Sequence, residues 1–168
     1  MKVLRLAVVC LGLFLVSTQS YAFSLMEYGP RVNATTIIQD YLDLFGRVTL
    51  SRISSPNKQW YLELQYNCDV GYYRNGVYQG WHAWNGDGDA KEPGLCYLAM
   101  QNDGNFVLYV WGYHGTFPFD YSGWFAEWSS GTYGNPGAFL QSQDDGNFVI
   151  LSADGRRVLW SLWYGRAY

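Results

Sequence analysis

Charge is scarce in this sequence. Only 15% of its 168 residues are Asp, Glu, Lys or Arg, with 11 basic residues against 14 acidic ones. A nucleic-acid binder needs a basic cluster to displace counterions; none is present, so no nucleic-acid partner is expected. Histidine is also scarce. His82 and His114 are the two in the chain, and neither lies in a carboxylate or cysteine pattern suited to metal ligation. Asn85-Gly86-Asp87-Gly88-Asp89 alternates oxygen ligands like a calcium loop, but Ala90 replaces the required glycine and Cys96 the bidentate Glu. It reads as a solvated acidic turn. No metal and no cofactor is therefore expected. The sequence also lacks a G-x-S-x-G elbow and a phosphate-cradling loop, and nothing in it points to an enzyme. One apolar run aside, no stretch is long enough to suggest a membrane span. Disorder is excluded by abundance instead: a 49% hydrophobic fraction supplies enough apolar surface to offset chain entropy.

The single apolar run lies at the start. Lys2 and Arg5 precede Leu6 to Val16, and Ser20-Tyr21-Ala22 follows with small residues at the two positions a signal peptidase reads. Residues 1–22 are thus expected to be a signal peptide, the run being well short of the roughly 20 residues that span a bilayer. Secretion to an extracellular location follows, and the remainder is long enough for one domain. Cys10 leaves with the leader, so Cys68 and Cys96 remain. In an oxidising compartment they most simply form one disulfide, the alternative being two free thiols. Closing that loop contributes about 3–4 kcal/mol by the loop-entropy argument. Asn33-Ala34-Thr35 is the one sequon, which makes Asn33 a candidate glycosylation site.

Nineteen Gly, fifteen Tyr and eight Trp indicate many tight turns between aromatic strands, an all-β composition. The chain also repeats itself. Gln65-Tyr66-Asn67-Cys68-Asp69, Gln101-Asn102-Asp103-Gly104-Asn105 and Gln143-Asp144-Asp145-Gly146-Asn147 are alike, and each leads to a tryptophan: Trp81, Trp128 and Trp160. Asp103-Gly104 and Asp145-Gly146 lie between apolar runs, a signal for a two-residue hairpin. Further turns are expected at Asn75-Gly76 and Asp154-Gly155. Each repeat reads as three or four short antiparallel strands. Such sheets cannot bury their apolar faces alone, so the three must share a core filled by the three tryptophans.

Two segments stand outside the repeat. The second repeat carries an aromatic insertion, residues 110–125, expected to fold over the domain or to meet a partner. Ahead of the repeats, Ile37, Ile38, Tyr41, Leu42 and Phe45 recur at helical spacing, with Thr36 and Gln39 as a capping box and Gly46 as a stop. A short helix is expected within an N-terminal extension, residues 23–43.

The spacing Q-x-D-x-N-x-V-x-Y is complete at Gln101, Asp103, Asn105, Val107 and Tyr109. It resembles the sugar-binding signature of the bulb-type mannose-binding lectins. Cys68 within the first motif, Cys96 five residues before Gln101, and a tryptophan about sixteen residues after the glutamine of the first and third motifs match that family too. The resemblance spans about Leu44 to Trp163 and places a lectin domain at 44–168. It implies a β-prism II, three four-stranded antiparallel sheets about a pseudo-threefold axis, with a short N-terminal extension. It also implies a non-enzymatic, mannose-binding role in defence, agglutination or adhesion. A homodimer made by exchanging the C-terminal strand, Val158 to Tyr164, is a further implication. The competing expectation is a prism that has lost most sugar binding and serves as a protein-interaction or structural module.

The chemistry fits the motif without the family. Neighbouring sugar hydroxyls both donate and accept, so a site needs fixed amides, a carboxylate and a phenol. Strand alternation puts Asn105, Val107 and Tyr109 on one face, with Val107 offered to the sugar's C–H surface. The third motif keeps Gln143, Asp145, Asn147 and Val149 but has Leu151 where the tyrosine belongs, and is expected to be a weaker site. The first departs most: Asn67 and Asp69 exchange acid and amide, and Gly71 replaces the valine. It is expected to be empty.

Overall fold

Turn chemistry divides the chain into hairpins, and the hairpins assemble into three sheets. The computed structural model describes residues 24–33, 36–39, 41–42, 48–83, 95–114 and 121–166, which form fifteen strands and no helix. Residues 1–22, expected to be a signal peptide, and residues 85–89, expected to be an acidic turn, lie outside the described residues. The first sheet is built from β5 (Val48–Ser54), β6 (Trp60–Leu64), β7 (Val70–Arg74) and β8 (Val77–His82), paired in that order. The second joins β9 (Cys96–Met100), β10 (Phe106–His114) and β11 (Tyr121–Ser129). The third joins β12 (Phe139–Ser142), β13 (Phe148–Leu151), β14 (Val158–Ser161) and β15 (Gly165–Arg166).

The sheets hold six, four and five strands rather than four each. The difference comes from the N-terminal extension. Its β1 (Ser24–Tyr28) runs parallel to β5, β2 (Arg31–Val32) pairs with β12, and β3 (Ile37–Gln39) pairs with β9. A further strand, β4 (Tyr41–Leu42), also pairs with β5. Where a helix was expected, residues 37–39 and 41–42 are therefore strands. Ile37 and Ile38 are β-branched, and the edge of β9 offers them ladder hydrogen bonds. Ile38 lies opposite Leu98 and is 1% exposed, so sheet packing overrides the helical spacing.

The hairpin loops are one residue longer than their Asp-Gly pairs suggested. Gln101 N donates to Asn105 O (2.8 Å) and Gly104 N to Gln101 O (3.0 Å), leaving a three-residue loop with only Gly104 at positive φ (89°). That is the turn-plus-bulge form rather than the two-residue type I′ form, which needs positive φ at both central residues. The loop 143–147 repeats it with Gly146 at 97°. In loop 65–69 the left-handed position is taken by Cys68 (φ 67°), whose disulfide to Cys96 ties the loop to the start of β9. Asn75-Gly76 does form the two-residue turn, with both residues at positive φ (47° and 86°).

The inward faces make one core. Leu62, Leu64, Leu98, Met100, Leu108, Leu140, Phe148 and Ile150 are each 2% exposed or less. At its centre Trp81, Trp128 and Trp160 meet pairwise, edge to face, with ring centres 5.7 to 6.3 Å apart. Three contacts among three symmetry-related rings are what a shared axis requires. The aromatic insertion extends the second sheet outward: β10 and β11 run as a paired ribbon from Val107 opposite Ser129 to His114 opposite Tyr121.

Candidate functional site

Each of the three sheets carries one copy of the repeated hairpin: residues 65–69 join β6 to β7, 101–105 join β9 to β10, and 143–147 join β12 to β13. In the second, Gln101 directly follows β9, Asn102, Asp103 and Gly104 form the loop, and Asn105 directly precedes β10. The Asp103 carboxylate turns back to accept the Asn105 backbone N–H (3.0 Å), which fixes the loop. Gln101 Nε2 donates to the Tyr109 hydroxyl (2.8 Å). Tyr109 stacks on Tyr97 with ring centres 5.0 Å apart. Burial pushes the Tyr97 phenol above its ordinary pKa, with Tyr109 adding to the effect.

The position of Asn105 depends on residues that the motif does not contain. Its Oδ1 accepts from Ser130 Oγ (3.1 Å) and from Thr132 N (3.2 Å). Ser130 Oγ also accepts the Phe106 N–H (3.0 Å) and lies 2.7 Å from Thr132 Oγ1, which in turn donates to Gly104 O (2.6 Å). Both hydroxyl residues are buried. With Oδ1 held, the orientation of the Asn105 amide is set and Nδ2 is its remaining polar atom. Tyr109, having accepted from Gln101, keeps its own proton to donate. Asp103 Oδ2 and Gln101 Oε1 supply acceptors. The site thus alternates donors and acceptors, the pattern that adjacent hydroxyls need.

Val107 does not meet its expected role as an open contact. It is 2% exposed, and Ala99 opposite it is 8% exposed. Gln101 and Tyr109 bracket that pair along the ladder, so the hydrogen bond joining them closes over it.

The other two motifs differ in ways that matter. In the third, Asp145 accepts the Asn147 N–H (2.9 Å) as Asp103 does its counterpart. The clamp, however, is missing. Leu162 occupies the place of Ser130, as Leu162 N to Phe148 O matches Ser130 N to Phe106 O. Asn147 is 8% exposed, and its Oδ1 is buried with no hydrogen-bond partner. Leu151 cannot bridge to Gln143, and Val149 is 3% exposed. In the first motif Gln65 still donates to Tyr73, but Asp69 Oδ1 accepts the neighbouring Val70 N–H (2.8 Å) and faces His82 Nδ1 at 3.6 Å. Asn67 Oδ1 accepts the Asp69 N–H (3.2 Å). What differs from the second motif is that acid and amide have exchanged places and that Asp69 is turned to Val70 N–H and His82. Ala83 replaces the serine there.

Sequence reasoning missed Ser130, Thr132 and Tyr97. A signal for the first existed: Ala83, Ser130 and Leu162 each stand two residues after a repeat tryptophan. Among the described residues no group of three or more His, Cys, Asp or Glu is placed to hold a metal ion, and no helix is long and apolar enough to cross a membrane.

Solved structures share this architecture. A Marasmius oreades lectin superposes with a TM-score of 0.55 at 18% identity, over 83% of this chain and 95% of that one. The fold is that of the β-prism lectins. A monomeric monocot mannose-binding lectin from Gastrodia elata superposes with a TM-score of 0.54 at 24% identity, over 81% of this chain and 98% of that one. No protein-family model matches the chain. No curated protein sequence matches it. Within the β-prism, the second-repeat hairpin stands out as the one that retains amide, carboxylate, phenol and clamp together.

Proposed function

We propose that this protein is a secreted lectin that binds a terminal mannose at the second repeat, without catalysis, in defence, agglutination or adhesion. One observation carries the reading. Gln101, Asp103, Asn105 and Tyr109 form a single outward-facing set of donors and acceptors, joined by the Gln101–Tyr109 hydrogen bond and the Ser130–Thr132 clamp. Asn105 Nδ2 and the Asp103 carboxylate would serve neighbouring hydroxyls, with Gln101 and Tyr109 serving the next. Among the β-prism structures, the Gastrodia protein is described as mannose-binding. The third hairpin is a weaker second site through Gln143, Asp145 and Asn147, and the first is empty.

A single shallow site retains little affinity, because most of a monosaccharide stays wet. The second and third sites on one particle therefore act by avidity. A homodimer through the C-terminal strand would add to it: Trp163 and Tyr164, just after β14, are 49% and 86% exposed. Asn33 is exposed and would carry a glycan after secretion. Calorimetry with methyl α-mannoside tests the reading. Asp103→Ala should lower affinity by ten- to hundredfold, since a hydrogen bond to a charged group contributes about 1.5–3 kcal/mol. Equal affinity for parent and variant would overturn it.

A further inference from the structure

The three repeats place an aromatic ring at the same register position: Tyr61 opposite Tyr73, Tyr97 opposite Tyr109, and Phe139 opposite Leu151. What covers that ring differs. The Arg52 guanidinium lies 4.2 Å from the Tyr61 ring centre, and Arg31 lies 3.6 Å from that of Phe139. In the second repeat the matching edge-strand position, opposite Ala99, holds Ile37. Tyr97 is covered instead by the Trp124 indole, edge to face at 4.8 Å, reaching across from β11. Trp124 packs in turn on Trp111 at 5.5 Å and remains 41% exposed. The insertion has thus replaced a charged cap with a half-exposed indole, and only beside the complete motif.

The ring cluster is continuous with the site. Gln101 bonds Tyr109, Tyr109 stacks on Tyr97, and Tyr97 meets Trp124. Trp111 and Trp124 lie two residues further along the ladder than Tyr109, about 7 Å at strand rise and comparable to one sugar ring. A pyranose has polar edges but C–H faces, and those faces suit the electron-rich face of an indole.

Resting on the mannose reading above, we propose that Trp124, with Tyr97 and Trp111, forms a second subsite. It stacks the next hexose of a mannose-terminated oligosaccharide whose terminal ring occupies the Gln101–Tyr109 hairpin. The second repeat is then selective for oligosaccharides over free mannose.

Calorimetry with methyl α-mannoside and with α-linked mannobioses of each linkage separates the two subsites. The parent should bind at least one mannobiose about two- to tenfold more tightly than the monosaccharide, the range expected of an aromatic contact. Trp124→Ala should remove that gain and leave methyl α-mannoside affinity within about twofold, while Trp124→Phe retains part of the gain should the alanine variant misfold. A parent that binds both sugars equally, or variants that weaken both alike, would overturn the subsite. A parent that binds neither would overturn the mannose reading itself, and the subsite with it.

Discussion

Ser130→Ala tests how the site is held, using a residue that would touch no sugar. Its Oγ donates to Asn105 Oδ1 (3.1 Å), accepts the Phe106 N–H (3.0 Å) and lies 2.7 Å from Thr132 Oγ1. Alanine leaves the Phe106 N–H without its side-chain acceptor at a position 2% exposed. A buried polar group so orphaned costs about 1–3 kcal/mol. For a chain of this size that lowers Tm by roughly 2–12 °C. Thr132 N still donates to Asn105, so the amide keeps one of its two anchors. Ordering it again on binding should cost about 0.5–1.5 kcal/mol, a two- to tenfold loss of mannoside affinity. Thermal melts and calorimetry on the same preparations read both effects, and Ser130→Thr, which keeps the hydroxyl, should recover most of each. A variant that melts early yet binds like the parent would refute the idea that the clamp sets the amide.

Other outcomes follow from the same geometry. Gly104→Ala should destabilise by about 2–5 kcal/mol, because a Cβ there would sit at a φ of 89° and 2.2 Å from the Asn135 carbonyl oxygen; chemical denaturation measures it. Asp145→Ala should reduce total mannoside binding less than Asp103→Ala, and Asn67→Ala should leave it unchanged, since the first motif has acid and amide exchanged and Ala83 in place of the clamp serine. Stability should fall in alkali: burial raises the pKa of Tyr72, Tyr73 and Tyr97, so the folded chain holds protons that the unfolded chain loses near pH 10. That contribution is full below about pH 10 and lost as pH rises through the folded values; Tyr97→Phe should flatten the alkaline limb of a stability–pH curve.

Much of this was legible because repetition makes short signals reliable. Three hairpins with the same glutamine and three tryptophans at their ends imply a common axis, and the rings do meet there. The Cys68–Cys96 bond was legible from the expectation that Cys10 belongs to a leader, which leaves two cysteines to pair. The segment at residues 37–42 misled because its periodicity fits a helix, whereas the choice was made by the unpaired edge of β9, which no local pattern reveals. The motif residues were legible, but their support was not. Ser130 and Thr132 lie 25 and 27 residues from Asn105 in sequence and reach it only through the ribbon of the insertion. Val107 illustrates a subtler loss: strand alternation puts it on one face with Asn105 and Tyr109, but the hydrogen bond between Gln101 and Tyr109 closes over it. Alternation tells which face a residue occupies, not whether its neighbours cover it.

The location of the bound sugar bears most directly on the central claim. Titrating isotope-labelled protein with methyl α-mannoside and following amide resonances by NMR would show it. The largest shifts should fall on the side-chain amides of Gln101 and Asn105 and on the backbone of residues 103–105. Smaller ones are expected at residues 143–147 and none at 65–69. Shifts centred on the first hairpin, or none at saturating mannoside, would contradict the assignment of the second repeat as the mannose site.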